Sequence, residues 1–545
     1  MTEGLKKHDF IAILALCLLV LVGFALTFGH WGNLIVDCGR EAWLPTIIFN
    51  KDTVMYRDIF NLYPPLSYLV NGTLYKIFGN NLNVLYVAGL FNTFCLIVCT
   101  YLLSKRFLST LLSFSVCFFA IFYTIYGNIS ETLGFIFPYS YAYLYALSSF
   151  LISLILFLKF TDEQNNKFLY LSFLFAGFSI ANKFEFIFAF LIYFICLFCS
   201  KIKLKNILIA LSFFLVFPIL SYGYIIYQGL SLPDILNYIE FGKRFFQTPA
   251  YKSFSTHNPN VYFFGILFFI ALNIGFIPLV LYLKKSKKQN ITLSVILSLV
   301  GIFTFNFFYK LNIISLCWLS LSSIFILLFL VIRKKFDKYS LSFILTILIF
   351  LAGALKIKFC LAKNTYGNYL IPYFVLINII FLVNYTKILT KKTFIQFLSI
   401  ILISTSLITF LKKNTERFNN LNYAIKTEKG IIYTNKNFGE NYEKLIKYIN
   451  ENTEGKVLAL QEGVMLNYFT DKPTDYMLYH LIKIHIEALG EDYIINRLKA
   501  FPPDYIVEFK MSEITPKINL FIKNNYIEVK NFSDIKVLKF NKSTK

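Results

Sequence analysis

Between its first and second apolar stretches the chain reads Asp37-Cys-Gly-Arg40-Glu41-Ala-Trp-Leu-Pro45, then Tyr56-Arg57-Asp58, then Tyr63-Pro64-Pro65-Leu66-Ser67-Tyr68. Eight charged residues stand here among aromatics and prolines: Asp37, Arg40, Glu41, Lys51, Asp52, Arg57, Asp58 and Lys76. Kept wet at a membrane surface, such charges cost little. Held against a helix bundle they are expensive and mark an ion, phosphate or substrate site. A carboxylate at Asp37 can take a proton from an acceptor hydroxyl or amine; it also suits the cap of a helix beginning near Arg40. Arg40 and Arg57 carry the planar fork that grips a phosphate through two parallel bonds, or they pair with Glu41 and Asp58 beside them. Glu41, Asp58 and Tyr63 complete the substrate-binding candidates of this loop.

Three further places carry candidate chemistry. Asn182-Lys183-Phe184-Glu185 interrupts a long apolar run. A lysine there needs an anionic partner or a water-filled cleft, unless it snorkels to the headgroups; Glu185 is its neighbour. Lys243-Arg244 is a basic pair in a long polar segment and reads equally as a solvated face. Tyr366 and Tyr369, beside Pro372, suit an interfacial aromatic belt.

These residues are positioned by membrane-spanning helices. The 545 residues are 57% hydrophobic, with 63 Phe and 37 Tyr, and the mean hydropathy is +0.61. Repeated apolar runs near the roughly 20 residues that cross a bilayer make this a polytopic α-helical membrane protein. The net charge of +23 fits basic cytoplasmic loops beside anionic lipid, and no basic-aromatic motif for nucleic acid is present. No zinc spacing, Gly-rich phosphate loop or cofactor motif stands out. The nine cysteines fall mostly in apolar runs and read as core residues. Spans are expected at 11–28, 83–103, 107–126 and 137–158, as two short spans in 168–200, and at 207–227, 261–283, 291–309, 312–332, 339–356, 369–385 and 394–411. With thirteen spans and the N-terminus cytoplasmic, the Lys/Arg clusters fall inside. The first loop, 29–82, then lies outside with two short helices at 40–49 and 66–78. Residues 1–411 form the membrane domain. Residues 412–545 turn polar, alternate strand and helix patterns, and read as a small α/β domain outside the membrane that serves as a lid or docking domain.

The order of these parts resembles the GT-C superfamily of membrane glycosyltransferases, relatives of the protein O-mannosyltransferases and of the enzymes that add aminoarabinose to lipid A. The resemblance rests on Asp37 soon after span one, Arg40-Glu41 and Pro45, Tyr56-Arg57-Asp58, the Tyr63-to-Tyr68 block, Asn182-Lys183, and Tyr369-Leu-Ile-Pro372. Tyr63 stands where many lipid A transferases have lysine, and Cys38 where protein mannosyltransferases often have glutamate. The resemblance implies transfer of a sugar from a polyprenyl-phosphate donor to a lipid, glycan or protein acceptor at the outer face of the plasma (inner) membrane, with inversion. Asp37 would be the general base, and Arg57, Lys183 and Arg244 would hold the lipid phosphate, the leaving group. No nucleotide cofactor is implied, and a metal requirement is left open. A transporter or flippase of a lipid-linked substrate predicts paired repeats and mid-membrane charges, neither of which is evident. A non-catalytic membrane scaffold leaves the charged first loop unexplained.

Overall fold

The computed structural model describes residues 6–59, 61–128, 132–199, 202–255, 369–385, 392–510 and 514–541. Five of its helices are long and apolar enough to cross a bilayer: Lys7–Leu26 (α1), Leu82–Lys105 (α4), Tyr141–Glu163 (α6), Leu204–Tyr227 (α9) and the stretch Ile395–Asn420 of Lys392–Asn420 (α13). Shorter apolar helices join them, including Thr110–Phe119 (α5), which continues as a π-helical turn over Ala120–Ile125, and Ile371–Tyr385 (α12). On α1 and α9, Leu14, Leu18, Leu208 and Ile219 stay exposed. Apolar side chains turned outward along whole helices are what lipid requires and water penalises. The protein is therefore a polytopic membrane protein. Of the thirteen expected spans, those at 261–283, 291–309, 312–332 and 339–356 lie outside the described residues.

The run 168–200 breaks as its polar insert dictates. Helix α7 (Asn166–Asn182) ends at Asn182, Phe184–Phe186 makes one 3-10 turn, and α8 (Ile187–Cys199) resumes. Helix α7 lies close against α9 because residue 177 is glycine: a Cβ there would sit 2.0 Å from the Phe214 carbonyl oxygen. The first loop holds α2 (Cys38–Ile47) and α3 (Leu66–Phe78), packed on each other. Pro45, which reads as punctuation in the sequence, lies inside α2. The polar segment after α9 forms α10 (Leu232–Gln247), started by a reciprocal Ser231–Asp234 capping box, and α11 (Pro249–Ser255).

Helix α13 runs past Leu411 to Asn420. A hairpin follows, β1 (Tyr423–Thr427) with β2 (Gly430–Thr434), in a stretch whose Lys/Asn-rich composition hides it. The other sheet has the order β3-β4-β6-β5: β3 (Val457–Ala459), β4 (Tyr505–Phe509), β5 (Tyr526–Phe532) and β6 (Ile535–Phe540), with β3 and β4 parallel and the other pairs antiparallel. Around these strands lie α14 (Lys436–Asn452), α15 (Met465–Thr470), α16 (Lys483–Leu489), α17 (Glu491–Ala500) and α18 (Pro516–Asn525).

The hairpin ties down both ends of the first loop. The Tyr433 N–H donates to the Gly29 carbonyl at 3.0 Å, and the Leu82 N–H donates to the Lys429 carbonyl at 2.8 Å. The Tyr86 hydroxyl donates to the Ile431 carbonyl at 2.9 Å, and His30 stacks on Tyr433 with ring centroids 3.9 Å apart.

Candidate active site

Asp37 sits at the junction between the chain leaving α1 and the start of α2. Its backbone is at φ 59°, ψ −50°, and its side chain makes no capping bond to the helix. The capping alternative thus has no bond behind it. A non-glycine residue in this region costs of order 1–3 kcal/mol and persists only where its surroundings fix it. The fixing group is Glu462, in the turn after β3. The Asp37 N–H donates to Glu462 Oε2 at 2.5 Å, and the His480 imidazole contacts Glu462 Oε1. Glu462 and His480 are buried; Asp37 is half-buried. The two chain segments meet because residue 39 is glycine: a Cβ there would lie 2.5 Å from the Met465 backbone nitrogen.

Burial pushes the Asp37 carboxyl well above the ordinary carboxylate range; the adjacent Glu462 adds to this and Arg40 opposes it. Burial also raises Glu462, against the pull of Arg40 and the Asp37 N–H. Burial, then Arg40, holds His480 well below its usual value, so it is neutral at pH 7. Each of the three residues can offer one ligand atom, and these atoms lie within 4.8 Å of one another. Two crowded carboxyls with an uncharged imidazole form a donor set suited to a divalent cation such as Zn²⁺ or Mn²⁺.

One turn into α2, Arg40 is buried between the rings of Tyr63 and Tyr139, at 4.8 and 5.2 Å. It pairs with Glu41 at 3.3 Å and donates to the Tyr139 carbonyl at 3.2 Å. Glu41 also accepts from the Tyr68 hydroxyl at 3.2 Å and the Tyr141 N–H at 3.1 Å. Burial raises Glu41 to about 7 against these partners. Tyr63 shares a 2.5 Å hydrogen bond with the Tyr139 hydroxyl and presents its ring to a second cation, Lys183 Nζ, at 4.0 Å. Lys183 is only 3% exposed and lies 3.7 Å from Glu185 on the 3-10 turn. The loop and the α7–α8 break, more than a hundred residues apart in sequence, thus place Arg40 and Lys183 against one tyrosine ring.

The other candidates lie elsewhere. Arg57 pairs with Asp58 at 2.7 Å, and both are partly exposed. Asp58 also accepts from the Val54 N–H at 2.8 Å, so it closes its own turn. Arg57 reaches toward the Gly229 carbonyl at 3.5 Å. Lys243 and Arg244 are exposed on α10, Lys243 lying 3.9 Å from Glu240. The same helix buries Phe241 and Phe245, the latter ring against His485 at 5.2 Å. Tyr366 lies outside the described residues. Tyr369 is buried and stacks on Tyr143 at 5.2 Å, so it packs in the bundle interior and not at an interfacial belt. Sequence reasoning missed Glu462, His480 and Tyr139. No local sequence signal marked them; the strained turn at Gln461, φ 62°, shows only in the structure.

No protein-family model matches the chain, and no curated protein sequence matches it. Solved structures do. ArnT from Cupriavidus metallidurans, bound to undecaprenyl phosphate, is 12% identical with a TM-score of 0.50, over 99% of this chain and 99% of that one. The oligosaccharyltransferase of Archaeoglobus fulgidus, in complex with Zn and sulfate, is 11% identical with a TM-score of 0.51, over 91% of this chain and 67% of that one. At such identities the likeness is one of fold. This chain shares its fold with these two proteins.

Proposed function

We propose that the protein is a glycosyltransferase that moves a sugar from a polyprenyl-phosphate donor to a lipid, glycan or protein acceptor at the outer face of the plasma membrane, with inversion. The observation that carries this reading is Asp37: a strained, half-buried carboxyl of raised basicity, set in the fold of lipid-phosphate transferases. Asp37 takes the proton of the acceptor hydroxyl or amine. The acceptor atom bonds to the anomeric carbon from the opposite face, the bond from that carbon to the phosphate oxygen breaks, and polyprenyl phosphate leaves. A base of raised pKa takes the proton more readily, at the cost of being ionised in fewer molecules. Lys183 and Arg40, gathered on Tyr63, offset the charge growing on the leaving phosphate. Arg57 and Arg244 are assigned to the rim, where their exposure suits a lipid headgroup more than the reacting phosphate. Asp37, Glu462 and His480 would hold a divalent cation, which would supply positive charge for the leaving phosphate and would lower the Asp37 pKa; no step above requires it. The N-terminus is cytoplasmic and the C-terminal domain lies outside. The test is to incubate purified protein with polyprenyl-phosphate sugars and measure released polyprenyl phosphate. No release with any donor from well-folded protein would favour the flippase or scaffold reading.

A further inference from the structure

A cavity opens where the far end of α2 meets the C-terminal domain. Its volume is about 180 Å³, and its walls include Trp43 and Thr46 from α2 with Asn467, Tyr468, Asp471 and Tyr476 from the domain. Drug-sized ligands occupy about 300–1,000 Å³, so this space admits one ring-sized unit. The walls combine ring faces with hydrogen-bonding groups. Trp43 and Tyr476 lie with centroids 5.7 Å apart at an interplanar angle of 42°. Asn467 is 2% exposed; its amide donates to the Val457 and Lys472 carbonyls at 2.9 and 3.0 Å. Its Oδ1 accepts nothing among the described residues. A buried acceptor left without a donor costs roughly 1–3 kcal/mol; this oxygen is closed to solvent, so a ligand hydroxyl reaches it only with a shift of the Asn467 side chain. The charges at the wall are already balanced: Lys429 pairs with Asp471, and Lys472 with Glu454 at 2.8 Å. The cavity thus calls for a neutral, hydroxyl-rich ring with apolar faces.

Packed ring contacts link the cavity wall to the candidate active site. Trp43 packs on Tyr479 at 5.1 Å, and Tyr479 stacks on His480, the partner of Glu462. Along α2, Trp43 lies about 9 Å beyond Asp37 at the helical rise of 1.5 Å per residue, a span of one to two sugar units. We infer that this cavity is an acceptor subsite that binds a neutral monosaccharide unit, so that the acceptor is a glycan whose reacting end lies at Asp37 and whose more distant sugar stacks against Trp43 and Tyr476. The inference rests on the glycosyltransferase reading for its role and on the cavity alone for its binding.

The test separates the two. Binding of methyl glycosides of glucose, galactose, mannose and N-acetylglucosamine to the full-length protein in detergent is followed by saturation-transfer NMR, with no donor present. The parent and Asp37→Asn should both bind at least one glycoside, with millimolar affinity. Tyr476→Ala, at the part-exposed wall, should weaken that binding about tenfold or more with an unchanged melting temperature. Asp471→Asn, at the exposed rim, serves as a second variant if Tyr476→Ala melts early. Transfer, where measured, should show a raised acceptor KM and little change in kcat. Absence of binding by well-folded parent, or binding untouched by both variants, overturns the subsite. Glycoside binding without any release of polyprenyl phosphate leaves the subsite standing and removes the transferase reading.

Discussion

Replacing Asp37 by asparagine removes a charge and a base while keeping shape. Asparagine tolerates positive φ about as well as aspartate, and the parent side chain makes no capping bond that could be lost. The carboxyl also stands beside Glu462, and burial together with that neighbour raises its pKa. Removing it relieves a buried like-charge contact, so Asp37→Asn should melt at or above the parent's temperature. Its effect on turnover should be severe. Loss of general-base help costs about 10²–10⁴ in rate, or about 3–5 kcal/mol of barrier. The surroundings point to the upper half of that range, because among the described residues the neighbouring carboxylates Glu41 and Glu462 are already engaged. Glu41 is engaged by Arg40, Tyr68 and Tyr141, and Glu462 by the Asp37 N–H and His480. The assay is release of polyprenyl phosphate under single-turnover conditions, alongside donor binding and thermal melting. A variant that melts normally and retains more than a tenth of parental turnover would refute the base assignment.

Glu462→Gln keeps an acceptor for the Asp37 N–H but removes the negative charge that helps raise the Asp37 carboxyl. Asp37 then ionises at lower pH, so the acid limb of the kcat/KM profile should move to lower pH; a limb that stays or moves up contradicts the electrostatic account. Lys183→Met keeps the stem and removes the cation lying on Tyr63. A charged hydrogen bond is worth about 1.5–3 kcal/mol, so donor KM should rise about ten- to hundredfold, and an unchanged donor KM removes Lys183 from the phosphate site. A cysteine placed at the exposed Asp534 should react in intact cells with a membrane-impermeant thiol reagent, whereas protection there with labelling only after lysis would reverse the assigned orientation.

What could be read from the sequence was what is local. Asp37, Arg40, Glu41 and Tyr63 lie within one loop, and their crowding of charge among aromatics was visible without a structure. The break at Asn182-Lys183 was visible for the same reason, since a lysine between apolar segments must end or bend them. The contact of Lys183 with Tyr63 was not, because no periodicity specifies which loop a helix break will meet. The partners of Asp37 were further beyond reach. Glu462 is 425 positions away, and a single glutamate in a domain of ordinary composition carries no mark of its role. Arg57 shows a different limit. Its motif matched the family pattern, but its neighbour Asp58 holds it at 2.7 Å, an interaction the sequence offered as an equal alternative and could not choose.

The C-terminal domain is therefore part of the candidate site. A backbone at φ 59°, ψ −50° is not one that an aspartate before a free helix would hold, and the cost of about 1–3 kcal/mol must be offset by contacts that exist only when the domain is docked. Those contacts can be named. The Glu462 carboxylate takes the Asp37 N–H, Gly39 lets the Met465 backbone come close, and the hairpin bonds to Gly29 at one end of the loop and Leu82 at the other. The loop thus has its two ends and Asp37 fixed by one body. Any motion of that body away from the membrane would release Asp37 from its strained conformation and separate it from Glu462, the charge that helps raise its basicity. The raised proton affinity of Asp37 and the docking of the C-terminal domain are in this way a single property of the fold.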